Sequence, residues 1–353
     1  MRVLNVLPQS DLRLIPAAAR ALEQAGYDGA MTAENKHDPF LAHAVAAVHT
    51  EKIQLGTSVA IAFPRSPMVV ANAAWDLQTA SRGRFVLGLG PQIKPHNERR
   101  FSTPWTAPAP RLREYVNALR AIWTTWETGE KLNFEGQHYK FTLMPPYFMP
   151  PSTGQKMVPV TLAAVGPHAL RLAGEVGDGC RLHGFCTRKY LEEFILPHLE
   201  QGMARTGRLR NNFEITGGGF IATGPDEAAT EAAFETIRGR VAFYGSTPGY
   251  WGVLDIHGLG DLGRELNAMS KQGKWAEMAS RVSDDVVHLF AAVGPHKDIA
   301  ARIADRFGGL ADAVNMHTGE VNTQHGTRVS DANAEAGMPP DLIQDIKRVP
   351  TLF

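Results

Sequence analysis

The sequence has few cysteines. Cys180 and Cys186 are the only two in 353 residues. Two cysteines do not make the disulfide framework that stabilises many small secreted domains. The low count is typical of a reducing compartment, so we expect a cytoplasmic protein.

The chain also lacks an excess of charge of either sign. It has 36 basic and 36 acidic side chains and a formal net charge of +0. Because nucleic acids and membrane surfaces attract a basic excess, we expect neither as a partner. No run of about 18 or more apolar residues is present, so we predict no membrane span. The N-terminal stretch MRVLNVLPQSDLRL has no long apolar segment, so we predict no signal peptide.

Several catalytic motifs are missing as well. The sequence contains no P-loop, no GxSxG and no CxxC. It also lacks the HxH pattern that is expected of metal-dependent barrel hydrolases. A metal site is therefore not expected.

What the chain does have is a regular alternation of strand-like and helix-like segments. We predict strands at 3–8, 28–34, 52–63, 84–90, 158–164, 178–184, 213–224 and 313–319. Apolar spacing and capping residues predict helices at 14–26, 38–50, 67–81, 109–129, 167–177 and 296–309. Eight such units are typical of a parallel (β/α)8 TIM barrel. A doubly wound sheet is the alternative, but eight units favour the barrel.

Two intervals are too long for one helix. They cover about 91–157 and 225–295 and follow the fourth and seventh strands. In a barrel, segments after a strand lie over the C-terminal mouth, where the active site is found. We therefore predict one domain over 1–323 with two insertions, followed by a largely polar tail over 324–353.

The predicted strand ends are small and polar. They read GTS (56–58), GLGPQ (88–92), LAAVGP (162–167) and LHG (182–184). Small residues let a ligand approach the backbone, although barrel loops also need Gly and Pro simply to turn. Four such ends on one face favour a ligand site. Gly166 and Pro167 resemble the start of a helix that binds an anion.

Polar side chains also follow the second strand, in AENKHDPF (33–40). Asp38 is most simply a helix cap. His37 is a candidate general acid or hydrogen-bond donor to a cofactor, or a loop histidine without a role. His43 and His49 fall within the predicted helix, and we expect them on the surface.

Long blocks of the sequence resemble the bacterial-luciferase-like superfamily. They are KIQLGTSVAIAFPRSPMVVANAAWDLQTASRGRFVLGLG and PVTLAAVGPHALRLAGEVGDG. The resemblance extends over roughly 1–320 and is strongest to oxidoreductases that use the deazaflavin coenzyme F-420. It implies a TIM barrel and a cis peptide bond at Ser58–Val59, in the bulge of the third strand that supports the cofactor ring.

The resemblance also implies residue roles. Thr57, Ser58 and Val59 would support the ring. The ribityl-phosphate chain and the cofactor tail would be bound by Gly90, Pro91, Gln92, Lys94, Ala163, Ala164, Val165, Gly166, His183 and Gly184. Arg99 and Arg100 add positive charge beyond the fourth strand, although such a cluster can also be simply solvated.

The sequence departs from the family at two catalytic positions. Asn35 stands where the family has its catalytic histidine, directly after the acidic residue, which is Glu34 here. His37 lies two positions later, and the three residues together are the catalytic candidates. Ile93 replaces a proton-donating glutamate, so oxidation of a sugar phosphate is not expected.

The resemblance implies an F-420-dependent oxidoreductase that acts on a small or medium organic molecule. Candidate substrate-binding side chains are Phe63, Trp105, Phe243, Tyr244, Tyr250 and Trp251, which could equally be packing residues of the insertions. One alternative is an FMN-dependent monooxygenase that needs oxygen and a flavin reductase. The other is a non-catalytic flavin or deazaflavin carrier. Related barrels often dimerise, so we expect a homodimer.

Overall fold

The computed structural model describes residues 1–316 and 338–353 and has the TIM-barrel fold. Its barrel strands follow the predicted order. Barrel strands 1 to 8 are Arg2–Val6, Gly29–Thr32, Gln54–Thr57 continued by Ala60–Ile61, Phe85–Gly90, Val160–Ala163, Gly179–Arg181, Glu214–Thr216 and Ala313–Asn315. Strands 2 to 8 each lie within the corresponding predicted segment, and strand 1 begins one residue before its predicted segment.

The helices between the strands also match the prediction closely. The six predicted helices are observed as Ile15–Ala25, Leu41–Ala47, Pro67–Ala80, Pro108–Thr128, Pro167–Val176 and His296–Phe307. Further helices are Arg188–Tyr190, Leu196–Ala204, Glu227–Gly245, Trp251–Asp255, Gly260–Lys271, Trp275–Met278, Asp284–Phe290 and Pro340–Lys347. Short π-helical turns occupy His96–Arg100 and Leu191–Ile195. Short 3-10 turns occupy Leu12–Leu14, Pro146–Phe148, Arg210–Asn212, Pro248–Tyr250 and Ala279–Arg281.

The chain divides into two compact units. The amino-terminal unit comprises Asn5–Arg181 and Leu199–Phe213. In it, barrel strands 2 to 6 pair in parallel with their sequence neighbours, with Leu87 opposite Val160 and Leu162 opposite Cys180. Leu55, Leu87, Leu89 and Val160 are fully buried, as expected of parallel strands covered on both faces.

The carboxy-terminal unit comprises Met1–Leu4, Leu182–His198 and the described part of Glu214–Phe353. Strand 8 pairs in parallel with strand 1 and with strand 7, with Val3 opposite Val314. Helix Pro340–Lys347 packs against helix His296–Phe307 and buries Ile343 and Ile346. The predicted boundary at residue 323 and the end of the predicted eighth strand lie outside the described residues.

Barrel strand 3 is interrupted at Ser58 and Val59. The strand stops at Thr57, the Ser58–Val59 peptide bond is cis, and the strand resumes at Ala60. The prediction of a cis bond at this position is confirmed. The Thr57 hydroxyl donates to Gly88 O over 2.6 Å and accepts from Gly88 N–H over 2.9 Å, so a side chain connects strands 3 and 4 at the interruption.

The predicted seventh strand was too long. Strand 7 ends at Thr216, and Phe220–Ala222 pairs instead with Ala291–Val293 in a separate two-stranded parallel sheet. Gly217 and Gly218 separate the two pieces with positive φ angles of 85° and 98°. Since Ala291–Val293 lies far along the chain, its pairing leaves no local sign in the apolar pattern of 213–224.

The two long intervals fold into structure of their own. The first contains helix Pro108–Thr128 and a small hairpin of Phe134–Glu135 with Lys140–Phe141. The second is mostly helical and packs around Phe185, Phe234 and Phe290. Across the described part of the chain, no helix combines the length and the apolar character that crossing a membrane requires.

Candidate active site

The loop after barrel strand 2 is fixed to the residues that follow the cis bond. Glu34 is nearly enclosed, with 6% of its side chain exposed, and its carboxylate accepts from Arg65 Nη1 over 2.8 Å and from Ile61 N–H over 2.7 Å. Glu34 N–H in turn donates to Val59 O over 3.3 Å. The carboxylate of Glu34 therefore acts as a structural acceptor that connects the loop to strand 3.

The remaining polar residues of this loop have different surroundings. Asp38 accepts from Phe40 N–H and Leu41 N–H at the start of the second helix, so its predicted role as a cap is confirmed. Asn35 is exposed, and its carbonyl accepts from Arg100 Nη2. His37 is exposed and has no hydrogen-bond partner among the described residues, which leaves both ring nitrogens available.

His43 was wrongly predicted to lie on the surface, whereas His49 is exposed as predicted. The His43 ring is fully buried, and its Nε2 lies 2.9 Å from Thr32 Oγ1 and 3.0 Å from Gly56 O. Because the Thr32 hydroxyl already donates to Pro39 O, Nε2 carries the hydrogen and donates. Burial lowers the pKa of His43 to about 4, so the ring is neutral at neutral pH.

Strands 3, 4 and 5 approach one another closely at Gly90. A methyl group built at Gly90 would lie 2.9 Å from Val59 Cγ2 and 3.5 Å from Ala163 Cβ. Three residues predicted to contact the cofactor, namely Val59, Gly90 and Ala163, are therefore brought together. A side chain at residue 90 would clash with Val59, so glycine is required for this close approach.

The turn after strand 4 is held by an amide that the sequence analysis missed. Asn97 is completely buried, and its Nδ2 donates to Pro91 O over 2.9 Å and to Ile93 O over 3.1 Å. Gln92 in this turn has a positive φ of 57°. The predicted residues Gly90, Pro91 and Gln92 thus form one turn that Asn97 holds in place. In the sequence, Asn97 is visible only as an uncharged polar residue within a charged segment.

The cations beyond this turn are exposed. Lys94 Nζ lies 3.8 Å from the Glu98 carboxylate, which is a weak contact between two exposed side chains. Arg99 has no ion-pair partner among the residues that the structure describes. Arg100 lies 4.8 Å from the Phe101 ring and donates to a carbonyl rather than to a carboxylate. The group therefore keeps a local positive excess.

The loop after strand 5 leaves room beside a helix start. Gly166 has φ of 81°, and a methyl group built there would meet nothing within 4 Å. Val165 is half exposed, and helix Pro167–Val176 begins directly afterwards without a side-chain cap within the described structure. Amide groups in the first turn of a helix attract anions, and no side chain competes for them here.

Phe63 and Trp105 lie together but with little free surface. Their ring centroids are 6.1 Å apart, and the Arg111 guanidinium lies 4.4 Å from the Phe63 ring. Arg111 also donates to Tyr139 Oη over 3.0 Å and to Pro104 O over 2.9 Å. Because Phe63 is buried in this cluster, its contacts are those of a packing residue.

In the carboxy-terminal unit, His183 lies among aromatic rings. Its ring stacks on Tyr250 with centroids 4.7 Å apart and meets Tyr244 edge to face at 4.4 Å. Burial lowers the pKa of His183 to about 4 and raises the pKa of Tyr250 to about 12. Both groups are therefore neutral at neutral pH.

Two other residues predicted for this region have packing roles. A methyl group at Gly184 would lie 2.4 Å from the Phe220 ring, so glycine is required there for close packing. The Trp251 indole N–H donates to Gly245 O over 3.0 Å. Phe243 is partly exposed and contacts the ring of Tyr244.

Residues 1–316 and 338–353 contain neither a candidate metal site nor a reactive thiol. No group of three or more His, Cys, Asp or Glu side chains there could bind a metal ion. Burial raises the pKa of both Cys180 and Cys186 to about 12, and neither forms a disulfide. Thiols of this kind are poor nucleophiles.

The family model described as luciferase-like monooxygenase matches residues 3–313. The chain belongs to this luciferase-like family. The uncharacterized protein Rv1360 of Mycobacterium tuberculosis is 48% identical over 84% of this chain and 87% of its own length. A 5,10-methylenetetrahydromethanopterin reductase of Archaeoglobus fulgidus is 28% identical over 80% of this chain and 82% of its own.

A solved structure supports the fold of this luciferase-like protein. The coenzyme F-420-dependent tetrahydromethanopterin reductase of Methanopyrus kandleri superposes with a TM-score of 0.75. It is 18% identical, and the match covers 99% of this chain and 97% of that one. Monooxygenases are found among the structural neighbours as well.

The luciferase-like amino-terminal unit offers a phosphate group an uncapped helix start at Gly166, after strand 5. On the adjacent strand, Gly90 lets Val59 and Ala163 approach closely, so the three residues can form one wall of a ring site but leave no space between them. Three residues that fix these loops were not predicted from the sequence, namely Arg65, Asn97 and Arg111. Arg65 does lie in AFPRSP, inside a block that carries the family resemblance.

Proposed function

We propose that this luciferase-like protein is an oxidoreductase that uses coenzyme F-420 to transfer a hydride to or from a small or medium organic substrate. The observation that carries the proposal is the exposed positive group Lys94, Arg99 and Arg100, directly beyond the turn Gly90–Gln92. F-420 differs from FMN beyond the phosphate, where it has a tail with several carboxylates. The F-420-dependent reductase among the structural neighbours also supports the proposal that the cofactor is F-420.

Two features of the amino-terminal unit support the proposal. The closely packed residues Val59, Gly90 and Ala163 would form one wall against the ring. The first turn of helix Pro167–Val176 offers amide groups to the phosphate. When bound, the deazaflavin supplies a carbon centre that gives or accepts a hydride, and the protein binds and orients the reactants.

His37 is the proposed proton-transfer residue. It follows Glu34, which is fixed by Arg65, and it lies within the loop that Gln9 holds at both ends by bonds to Ala33 N–H and Asp38 O. A histidine without other partners can accept or donate the proton that accompanies hydride transfer. Asn35 contributes its backbone carbonyl to Arg100 and so helps to fix the same loop.

Cofactor choice is tested by titrating F-420 and FMN at two ionic strengths, with absorbance as the signal. We expect F-420 to bind more tightly at low salt. Each exposed contact contributes about 0.2–1 kcal/mol, so the three cations together favour F-420 by about tenfold. Equal affinities, or a preference for FMN, would support the FMN-dependent monooxygenase instead.

Matched variants test whether these cations cause the preference for F-420. Lys94→Ala and Arg99→Ala should reduce the difference in affinity between F-420 and FMN, most clearly at low salt, because salt screens exposed charges. Lys131→Ala and Arg20→Ala remove exposed cations elsewhere on the same unit and should leave this difference unchanged. If all four variants behave alike, the positive group has no special role.

Turnover separates the remaining alternatives. Reduced F-420 should be reoxidised by an organic acceptor in the absence of oxygen, which an oxygen-dependent monooxygenase would not do. Tight binding of F-420 without hydride transfer to any acceptor would indicate the non-catalytic carrier.

A further inference from the structure

His183 has one ring nitrogen occupied and the other free. Its Nδ1 accepts from Phe185 N–H over 3.0 Å, so in the neutral ring the hydrogen lies on Nε2. Nε2 has no hydrogen-bond partner among the described residues and is not among their fully enclosed polar atoms. His183 therefore presents an N–H donor from an otherwise largely buried ring.

The two tyrosines against this ring are also incompletely bonded. The hydroxyl groups of Tyr244 and Tyr250 have no hydrogen-bond partner in the described part of the chain, and neither is enclosed. Tyr244 holds the imidazole edge to face, and Tyr250 stacks on it. Three rings that each carry a donor thus lie against one another within the carboxy-terminal unit, with centroids 4.4–5.8 Å apart.

Most groups around these donors are apolar, and one cation lies near them. The guanidinium of the buried Arg240 lies 5.9 Å from the Phe220 ring, which stacks on Tyr244. The tyrosines pack against a cluster that includes Phe185, Phe220 and Leu254. Burial alone lowers the pKa of His183, and no charged group among the described residues contributes to the shift. Neutral His183 can donate a hydrogen bond from Nε2, but it cannot attract a phosphate or carboxylate as a cation would.

We propose that His183, Tyr244 and Tyr250 form a binding site for an uncharged oxygen of the substrate, such as that of a ketone or an alcohol. That the bound molecule is a substrate rests on the proposed oxidoreductase function, whereas the binding of an uncharged oxygen does not. In this proposal His183 is a substrate-binding residue rather than a contact of the cofactor tail. Phosphorylated and carboxylated compounds are disfavoured because none of the three donors is a cation.

The binding test uses the protein without cofactor. The histidine side chains are observed by nitrogen-15 NMR, and His183→Gln assigns the signal of His183. We expect the spectrum to show Nδ1 without hydrogen and Nε2 with it. Acetone, cyclohexanone and acetophenone are titrated as uncharged probes, and inorganic phosphate and cyclohexanecarboxylate as anionic ones. We expect at least one ketone to shift the His183 signal saturably and neither anion to do so.

Two variants test the donor itself. His183→Phe keeps an aromatic ring but has no N–H, and it should weaken ketone binding by about tenfold, the loss of roughly one hydrogen bond. His183→Gln keeps a donor and should bind ketones more tightly than His183→Phe, and Tyr250→Phe should weaken binding by a smaller factor. Failure of all three ketones to shift the signal, equal ketone binding by wild type and His183→Phe, or a stronger response to the anions would overturn the proposal.

A parallel titration separates this proposal from the proposed function. F-420 affinity should be the same in wild type and His183→Phe. A large loss of F-420 affinity in the variant, with ketone binding retained, would assign His183 to the cofactor and overturn the inference. If wild-type protein does not bind F-420 while ketones still shift the His183 signal, the proposed function fails and the binding site stands.

Discussion

The Nε2 atom of His43 lies 2.9 Å from the Thr32 hydroxyl in the interior of the amino-terminal unit. Thr32 is the last residue of strand 2, and its carbonyl accepts from Ser58 N–H over 2.6 Å. Since His43 also contacts Gly56 O, one neutral imidazole connects a helix to strand 2 and to strand 3, just before the interruption at Ser58. His43 is therefore a positioning residue for this part of the fold.

Burial of His43 makes stability depend on pH. The pKa is about 4 in the folded protein, below the ordinary value of 6.5, so between these values the unfolded chain binds a proton that the native ring does not. The free energy of unfolding therefore falls as the pH is lowered through this window, by about 2 kcal/mol at pH 5 from this group. The lowered pKa of His183 also reduces the free energy of unfolding as the pH falls.

The variant His43→Gln isolates the contribution of His43. At pH 7 we expect it to be less stable by about 1–3 kcal/mol, because it disrupts a buried hydrogen-bonded site. Urea unfolding at several pH values should show the two stabilities converging towards pH 5, because glutamine does not titrate. His49→Gln, at an exposed position, should follow wild type throughout. Parallel curves for wild type and His43→Gln would mean that His43 titrates alike in both states.

The sequence predicted the barrel well because the periodic signals are local. Each barrel strand is a short apolar run, and the helix predicted at 67–81 is observed at Pro67–Ala80. His43 was misjudged because a polar residue between alanines resembles a solvent-exposed helix position. Its burial depends on Thr32 and Gly56, which are distant along the chain, and no local pattern contains that contact. The separate pairing of Phe220–Ala222 with Ala291–Val293 was not predicted, for the same reason.

The ion pair of Glu34 and Arg65 should contribute to stability as a coupled unit. Removing one partner leaves the other charge largely buried, so Glu34→Gln and Arg65→Met should each cost about 2–3 kcal/mol. We expect the double variant to cost at least about 1 kcal/mol less than the sum of the two. Urea unfolding of the four proteins measures this coupling. Additive losses would show that the two side chains act independently.

Gly90 should be intolerant of even a methyl group. Gly90→Ala places Cβ 2.9 Å from Val59 Cγ2, so the side chain of Val59 must shift. We expect a loss of about 1–3 kcal/mol in stability from overpacking, together with weaker F-420 binding because the displaced Val59 side chain changes the wall against the ring. Gly239→Ala is the control, since a methyl group there meets nothing within 4 Å. It lies inside helix Glu227–Gly245, where alanine should stabilise by about 0.5–1 kcal/mol.

For the candidate site, the sequence could name residues but not their contacts. Val59, Gly90 and Ala163 lie close together, and their role towards a cofactor stays a prediction. By contrast, Phe63 and Trp251 are engaged in packing. An aromatic residue in a loop has the same appearance in the sequence whether it contacts substrate or its own insertion. Only the position of Arg111 over Phe63, or of Gly245 O beside the Trp251 indole, distinguishes the two.

His37 provides the sharpest test of the proposed chemistry. It is exposed and has no hydrogen-bond partner in the described structure, so His37→Ala should change stability by no more than about 0.5 kcal/mol. If it transfers the proton, turnover should fall by about 10²-fold or more while F-420 affinity stays within a factor of about two. Both are measured from F-420 absorbance, during turnover and in titrations, with His49→Ala as an exposed control. Loss of cofactor affinity, with turnover per bound cofactor retained, would make His37 a binding residue and place the proton donor elsewhere.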